Sequence, residues 1–187
     1  MRNIIVSLVR QFLFWLLVFA IARATFLVFY KHLLVSEQIE LGEVLKAFWF
    51  AFPLDISTAC YLLLVPLLIL FFYSLFNKYW IFLLTKIYTA LALIVYLLIT
   101  TAEIGIYAEW KTKLHYKALN YLSNPDEVYN SASTSTFFIL VIVFILQFSV
   151  GYYFYLKVVG KYFVLQSRHI FYSVVLLFFG ADFVSGD

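Results

Sequence analysis

The sequence predicts an all-α fold, a polytopic membrane bundle of five transmembrane helices. Three observations carry that reading. Of the 187 residues, 65% are hydrophobic and only 12% charged, whereas a soluble domain averages roughly 45–50% apolar and about 25% charged residues. A globule this short of polar groups is unable to cover its own surface with them. The apolar residues also fall in continuous runs, most of 20 residues or more. Such runs cross about 30 Å of hydrocarbon at about 1.5 Å per residue. They lack the alternating segments of about ten residues that a transmembrane β-barrel needs.

The first run extends from about Gln11 to Leu34. Its approach, "MRNIIVSLVRQFLFWLLVFAIARA", has a basic start and small residues at Ala20, Ala22 and Ala24, as a signal peptide does. The run resumes after Arg23 as "ATFLVFY" and further spans follow, so it reads as an uncleaved first helix. The second run extends from about Ala47 to Phe76 and the third from about Trp80 to Tyr107. Both exceed what a perpendicular span needs, which predicts tilt or a kink. Pro66, midway along the second, removes a backbone donor and is the expected kink site. The fourth run extends from about Thr136 to Leu156 and the fifth from about Ile170 to Val184. The fifth is short, and the chain stops at "GADFVSGD" just as it would leave the membrane. The expectation is an interrupted protein, with residues 1–187 forming its membrane domain.

Orientation follows from the basic residues. With the N-terminus inside, the inner side carries Arg2, Arg10, Lys78, Lys86, Lys157, Lys161 and Arg168. The outer side then carries Lys31, Lys46, Lys111, Lys113 and Lys117. The excess lies inside, as the positive-inside rule requires. Acidic residues agree, since none falls in an inner loop. The N-terminus is therefore placed inside and the C-terminus outside.

That topology puts the one long polar stretch, Ala102–Ser133, on the outer face. Tyr107, Trp110, Leu114, Ala118 and Tyr121 recur at spacings of three and four, on one helical face. Lys113, Lys117, Asn120 and Asn124 take the opposite face, and Glu109 stands four residues before Lys113, a favourable ion-pair spacing. The stretch reads as an interfacial amphipathic helix between the third and fourth spans. "SNPDEV" ends it and begins a second short helix, with Asn124 as N-cap, Pro125 in the first turn and Glu127 closing a capping box. Two roles stay open for it. It is either a platform for an anionic headgroup or an overlying domain, or a connector whose Trp, Tyr and Lys simply settle at the interface.

Three ionisable residues lie well inside spans: Arg23, Asp55 and Glu103. Each costs about 2.5–3.5 kcal/mol at a helix centre, so partners or water are expected. Asp55 and Glu103 fall in the outer half and Arg23 near mid-depth, so Arg23 is able to join either acid. Such a cluster would line a headgroup pocket or proton path, or be a salt bridge that sets helix register. Arg23, Asp55, Glu103, Glu109, Trp110 and Lys113 are thus the lipid or headgroup candidates. Other chemistry has little support. The lone Cys60 excludes an internal disulfide and C-x-x-C sites. His32, His115 and His169 are scattered without H-x-x-x-H or E-x-x-H spacing, so no metal site is expected. There is no G-x-S-x-G, Walker or glycine-rich motif, and a net charge of +3 is too small and dispersed for nucleic acid.

"KAFWFAFPLDISTACYLLLVPLLI" (Lys46–Ile69) resembles the second helix of lipoteichoic-acid-synthase-like proteins. That helix carries an aromatic-rich F-x-x-G-x-x-x-D run, a following Ser or Thr and a later proline. Ala51 stands here where the family often has glycine. "AEIGIYAEWKTKLHYKALNYLSNPDEV" is similar to the family's connection between helices three and four, ending here in Ala118, Leu119, Tyr121, Leu122, Pro125, Glu127 and Val128. The resemblance implies a bacterial cytoplasmic membrane protein whose extracytoplasmic domain, of the alkaline-phosphatase and sulfatase superfamily, would follow residue 187. That domain would hold a divalent metal; this chain itself has no catalytic residue and no cofactor to assign. The chain would be the anchor and lipid-side platform of a phosphoglycerol transferase or sulfatase, inactive alone. Its partners would be membrane lipids, including an anionic phospholipid donor, and its own catalytic domain. The competing readings are a phosphoethanolamine-transferase-type anchor, a small self-contained transporter or flippase subunit, and a non-catalytic assembly protein.

Overall fold

A computed structural model of the chain describes residues 2–76, 79–110 and 134–159. They form α1 (Arg2–Phe29), α2 (Lys31–Ser36), α3 (Leu41–Phe76), α4 (Tyr79–Trp110), α5 (Thr134–Phe154) and a π-helical turn (Tyr155–Val159), with no strand among the described residues. Four helices are long and apolar enough to cross a membrane: α1, α3, α4 and α5. This accords with a multi-pass membrane protein. The fifth apolar run, Ile170–Val184, and the polar stretch from Lys111 to Ser133 lie outside the described residues.

Several element boundaries differ from the sequence reading: α1 already begins at Arg2 and α3 at Leu41, and two other ends move as well. The first apolar run breaks at Tyr30, and α2 turns off with Lys31 and His32 at its start. It ends in a Schellman motif: Ile39 N–H donates to the Leu34 carbonyl at 2.9 Å and Gln38 N–H to that of Val35 at 3.2 Å. Gln38, rather than glycine, takes the left-handed position there, with φ of 53°. At the other boundary α4 continues past Tyr107 to Trp110, because Ala108 and Glu109 favour helix and nothing between them breaks it.

The described residues separate into two compact units, one reaching up to Ala92 and resuming at Tyr152, the other Leu93–Gly151. In the first unit α1 packs on α3 and on the π-helical turn. Ser7, Gln11, Phe14, Trp15, Val18, Phe19 and Ala22 are buried, while Val6, Val9, Leu13, Leu17, Ile21 and Val28 are exposed. Both sets recur at threes and fours, so α1 has an inner and an outer stripe although nearly all its residues are apolar. In lipid an apolar side chain gains little by leaving hydrocarbon, so this seam depends on close packing and hydrogen bonds. Aromatic rings supply much of the packing. Phe14 lies 5.4 Å from Trp15 and 5.5 Å from Tyr155 between ring centroids, and stacks on Phe154 at 6.4 Å. Such pairs are each worth about 0.5–1.5 kcal/mol beyond burial.

α3 has 36 residues and contains Pro53 and Pro66. A proline lacks the N–H that would bond the carbonyl four residues earlier, and for Pro66 that carbonyl belongs to Leu62. The Tyr88 hydroxyl of α4 donates to it at 3.1 Å. A side chain of the neighbouring helix thus supplies the bond the proline removes, as hydrocarbon demands.

In the second unit the α4 and α5 segments meet through glycines. A Cβ added to Gly105 would lie 2.9 Å from Leu140 Cδ1, and one on Gly151 would lie 3.3 Å from Leu93 Cδ2. The pairs Leu93/Gly151 and Gly105/Leu140 run in opposite order along the two helices, so these segments are antiparallel.

Candidate functional site

Arg23 and Asp55 come together. Arg23 Nη1 and Nη2 donate to Asp55 Oδ2 and Oδ1, each at 2.9 Å. This is the bidentate fork that a planar guanidinium makes with a carboxylate. The Arg23 guanidinium also lies 5.4 Å from the centre of the Phe48 ring, within cation–π range. Phe48 and Asp55 are seven residues apart on α3, so two turns put both on the face toward α1. Side-chain exposure is 27% for Arg23 and 13% for Asp55. The pair is therefore largely covered by protein, Asp55 more so than Arg23.

Helix rise locates it. Arg23 is six residues before the end of α1 at Phe29, about 9 Å along the axis. Asp55 is fourteen residues after the start of α3 at Leu41, about 21 Å along its axis. Matching the two levels sets the end of α1 beside the exposed Trp49 and leaves Glu43 and Lys46 beyond it. An exposed tryptophan at that level, with charges outside it, is the pattern of a membrane interface. The ion pair sits roughly 9 Å along the helix axis from Trp49.

The other candidates fall elsewhere. Glu103 is half-buried on α4, belongs to the second unit, and has no ion-pair partner among the described residues. Of the two acids open to Arg23, Asp55 is the one that pairs. Glu109 and Trp110 form the end of α4, and Lys113 lies outside the described residues. No group of three His, Cys, Asp or Glu able to hold a metal occurs among the described residues.

Sequence reading missed two sets of residues. Phe48 carried no signal beyond being one of many aromatics. The second set is a buried polar layer. Gln11 Nε2 donates to Thr89 Oγ1 at 3.4 Å, Thr89 Oγ1 donates to the Thr85 carbonyl at 2.9 Å, and the Tyr155 hydroxyl lies within hydrogen-bonding reach of Thr89. Its signal was present as four-residue spacing, Ser7 to Gln11 and Thr85 to Thr89, which repeats a polar group on one helical face.

The arrangement holds a paired charge in an apolar bundle, with the Arg23 side chain the more exposed of the two. What the geometry itself shows is two charged hydrogen bonds that hold α1 against α3. No family model, curated protein or solved structure matches the chain.

Proposed function

We propose that this chain is the membrane anchor and lipid-side platform of a lipoteichoic-acid-synthase-like phosphoglycerol transferase or sulfatase, inactive alone. It lies in a bacterial cytoplasmic membrane with its N-terminus inside and C-terminus outside. The observation that carries the reading is Asp55. This acid of the family-like aromatic run is held bidentately by Arg23, whose guanidinium also lies over Phe48, about 9 Å along the helix axis from the exposed Trp49. The pair sets α1 against α3 and, on this reading, lies near the depth where a phospholipid headgroup meets the acyl chains. Glu109, Trp110 and Lys113 then form the outer part of the platform, with Glu103 six to ten residues before them in the sequence.

Two measurements test the proposal. The genomic reading frame after codon 187, or an adjacent one, is expected to encode several hundred residues of soluble α/β sequence. A stop codon there with no such domain nearby would remove the assignment. With that domain joined to the chain, Trp110→Ala combined with Lys113→Ala is expected to lower transfer or hydrolysis by tenfold or more. Unchanged activity would return the polar stretch to the role of connector.

A further inference from the structure

The polar layer of the first unit contains more hydrogen-bonding groups than it satisfies. Ser7 Oγ, Gln11 Oε1, Trp15 Nε1 and Thr85 Oγ1 are all buried and have no hydrogen-bond partner. Their residues are at most 3% exposed. Although Thr101 Oγ1 in the second unit is also buried without a partner, several helix hydroxyls elsewhere among the described residues satisfy themselves by bonding a carbonyl three or four residues back. Thr25 does so to Ile21, Ser36 to Leu33, Thr58 to Leu54, Thr89 to Thr85 and Thr100 to Tyr96. Ser7 and Thr85 forgo that bond.

Their positions explain why. α1, α3 and α4 follow one another through short connections. Arg23–Asp55 and Leu62–Tyr88 link successive helices in antiparallel register, which makes α1 and α4 parallel. Gln11 touches Thr89. One turn earlier on each helix stand Ser7 and Thr85, at the same level. One turn later on α1 stands Trp15. Ser7 Oγ, Gln11 Oε1 and Trp15 Nε1 thus recur along one face of α1 over eight residues, about 12 Å, with Thr85 one turn before Thr89 on α4. The set mixes a pure donor (Trp15 N–H), a pure acceptor (Gln11 oxygen) and two hydroxyls that do both. It carries no charge. The molecule that complements it is small, neutral, and able to donate and accept at once.

We infer that the α1–α4 seam holds a short file of ordered water, bound by Ser7, Gln11, Thr85 and Trp15. Each water finds the two to four polar partners that a buried site requires. In hydrocarbon the alternative is four orphaned polar atoms, a cost that parallel helices would shed by substitution to apolar residues.

The experiment is a double-mutant cycle on the full chain in lipid nanodiscs, with a high-resolution structure of the wild-type chain beside it. Ser7→Ala and Thr85→Val remove one hydroxyl each at nearly constant volume. With bridging water, each variant is expected to lower Tm by about 2–4 °C, and the pair by less than the sum. Density is then expected within hydrogen-bonding distance of Ser7 Oγ and Thr85 Oγ1. A raised or unchanged Tm would mean that the hydroxyls were orphaned, and would overturn the inference. A structure in which these atoms bond protein directly, with no water between, would overturn it even if the Tm values fall or a variant fails to fold.

Discussion

Alone in a span, Arg23 or Asp55 costs about 2.5–3.5 kcal/mol, and together they relieve most of that through two charged hydrogen bonds. The relief is mutual, so removing one partner is worse than removing both. Breaking a fully buried pair typically costs about 3–5 kcal/mol. With Arg23 more than a quarter exposed, Asp55→Asn is expected to destabilise the bundle by about 1–3 kcal/mol. Adding Arg23→Gln should recover part of the loss, because no unpaired charge remains. Reversible unfolding in mixed micelles measures both. Equal loss in the single and double variants would show that the pair contributes shape alone. The ionisable character of these residues was legible in the sequence, because charge inside an apolar run is conspicuous. Which acid Arg23 would choose was not, since depth along a helix is readable from spacing but azimuth relative to a second helix is not.

At the level of the element, α3 shows how a proline is tolerated in a span. Pro66 leaves the Leu62 carbonyl without its helical donor, and Tyr88 supplies one from α4. Tyr88→Phe is therefore expected to cost about 1–3 kcal/mol, the penalty of a buried acceptor left unmade. In a Pro66→Ala background the helix recovers its own N–H, and the cost of Tyr88→Phe should fall close to zero. A cost that stays the same in both backgrounds would mean that Tyr88 acts by packing and not through this bond. The proline itself was an evident feature of the sequence. Its partner was hidden among 15 tyrosines, because nothing local distinguishes a tyrosine that reaches across from one that faces lipid. The same limit applies to Gly105 and Gly151, whose contacts with Leu140 and Leu93 exist only once α4 and α5 are side by side.

For the whole molecule, orientation rests on basic residues distributed about the spans. The basic residues assign Gln38 to the outer side and Lys78 to the inner side. With Cys60 replaced by serine, Gln38→Cys is expected to react with a membrane-impermeant maleimide from outside intact cells, and Lys78→Cys only after permeabilisation. The reverse pattern would invert the topology and move the Arg23–Asp55 pair to the inner half.

Composition and run length by themselves determined the class: an all-helical chain with spans long enough for a bilayer. They did so because hydrocarbon leaves the backbone no partner but itself, and helices satisfy every N–H and C=O within one segment. The sequence likewise marked the three charges inside spans and the mid-helix proline, each a local departure from an apolar background. Only tertiary structure decided that Asp55, with Phe48, holds Arg23, that Tyr88 answers Pro66, and that Gln11 and Thr89 join in a buried polar layer. In a chain with apolar side chains on nearly every face, the hydrophobic pattern that tells inside from outside in a soluble helix is almost absent. Which face turns inward is then set by small differences in packing and by a few hydrogen bonds between helices. Those differences exist only after the helices have met.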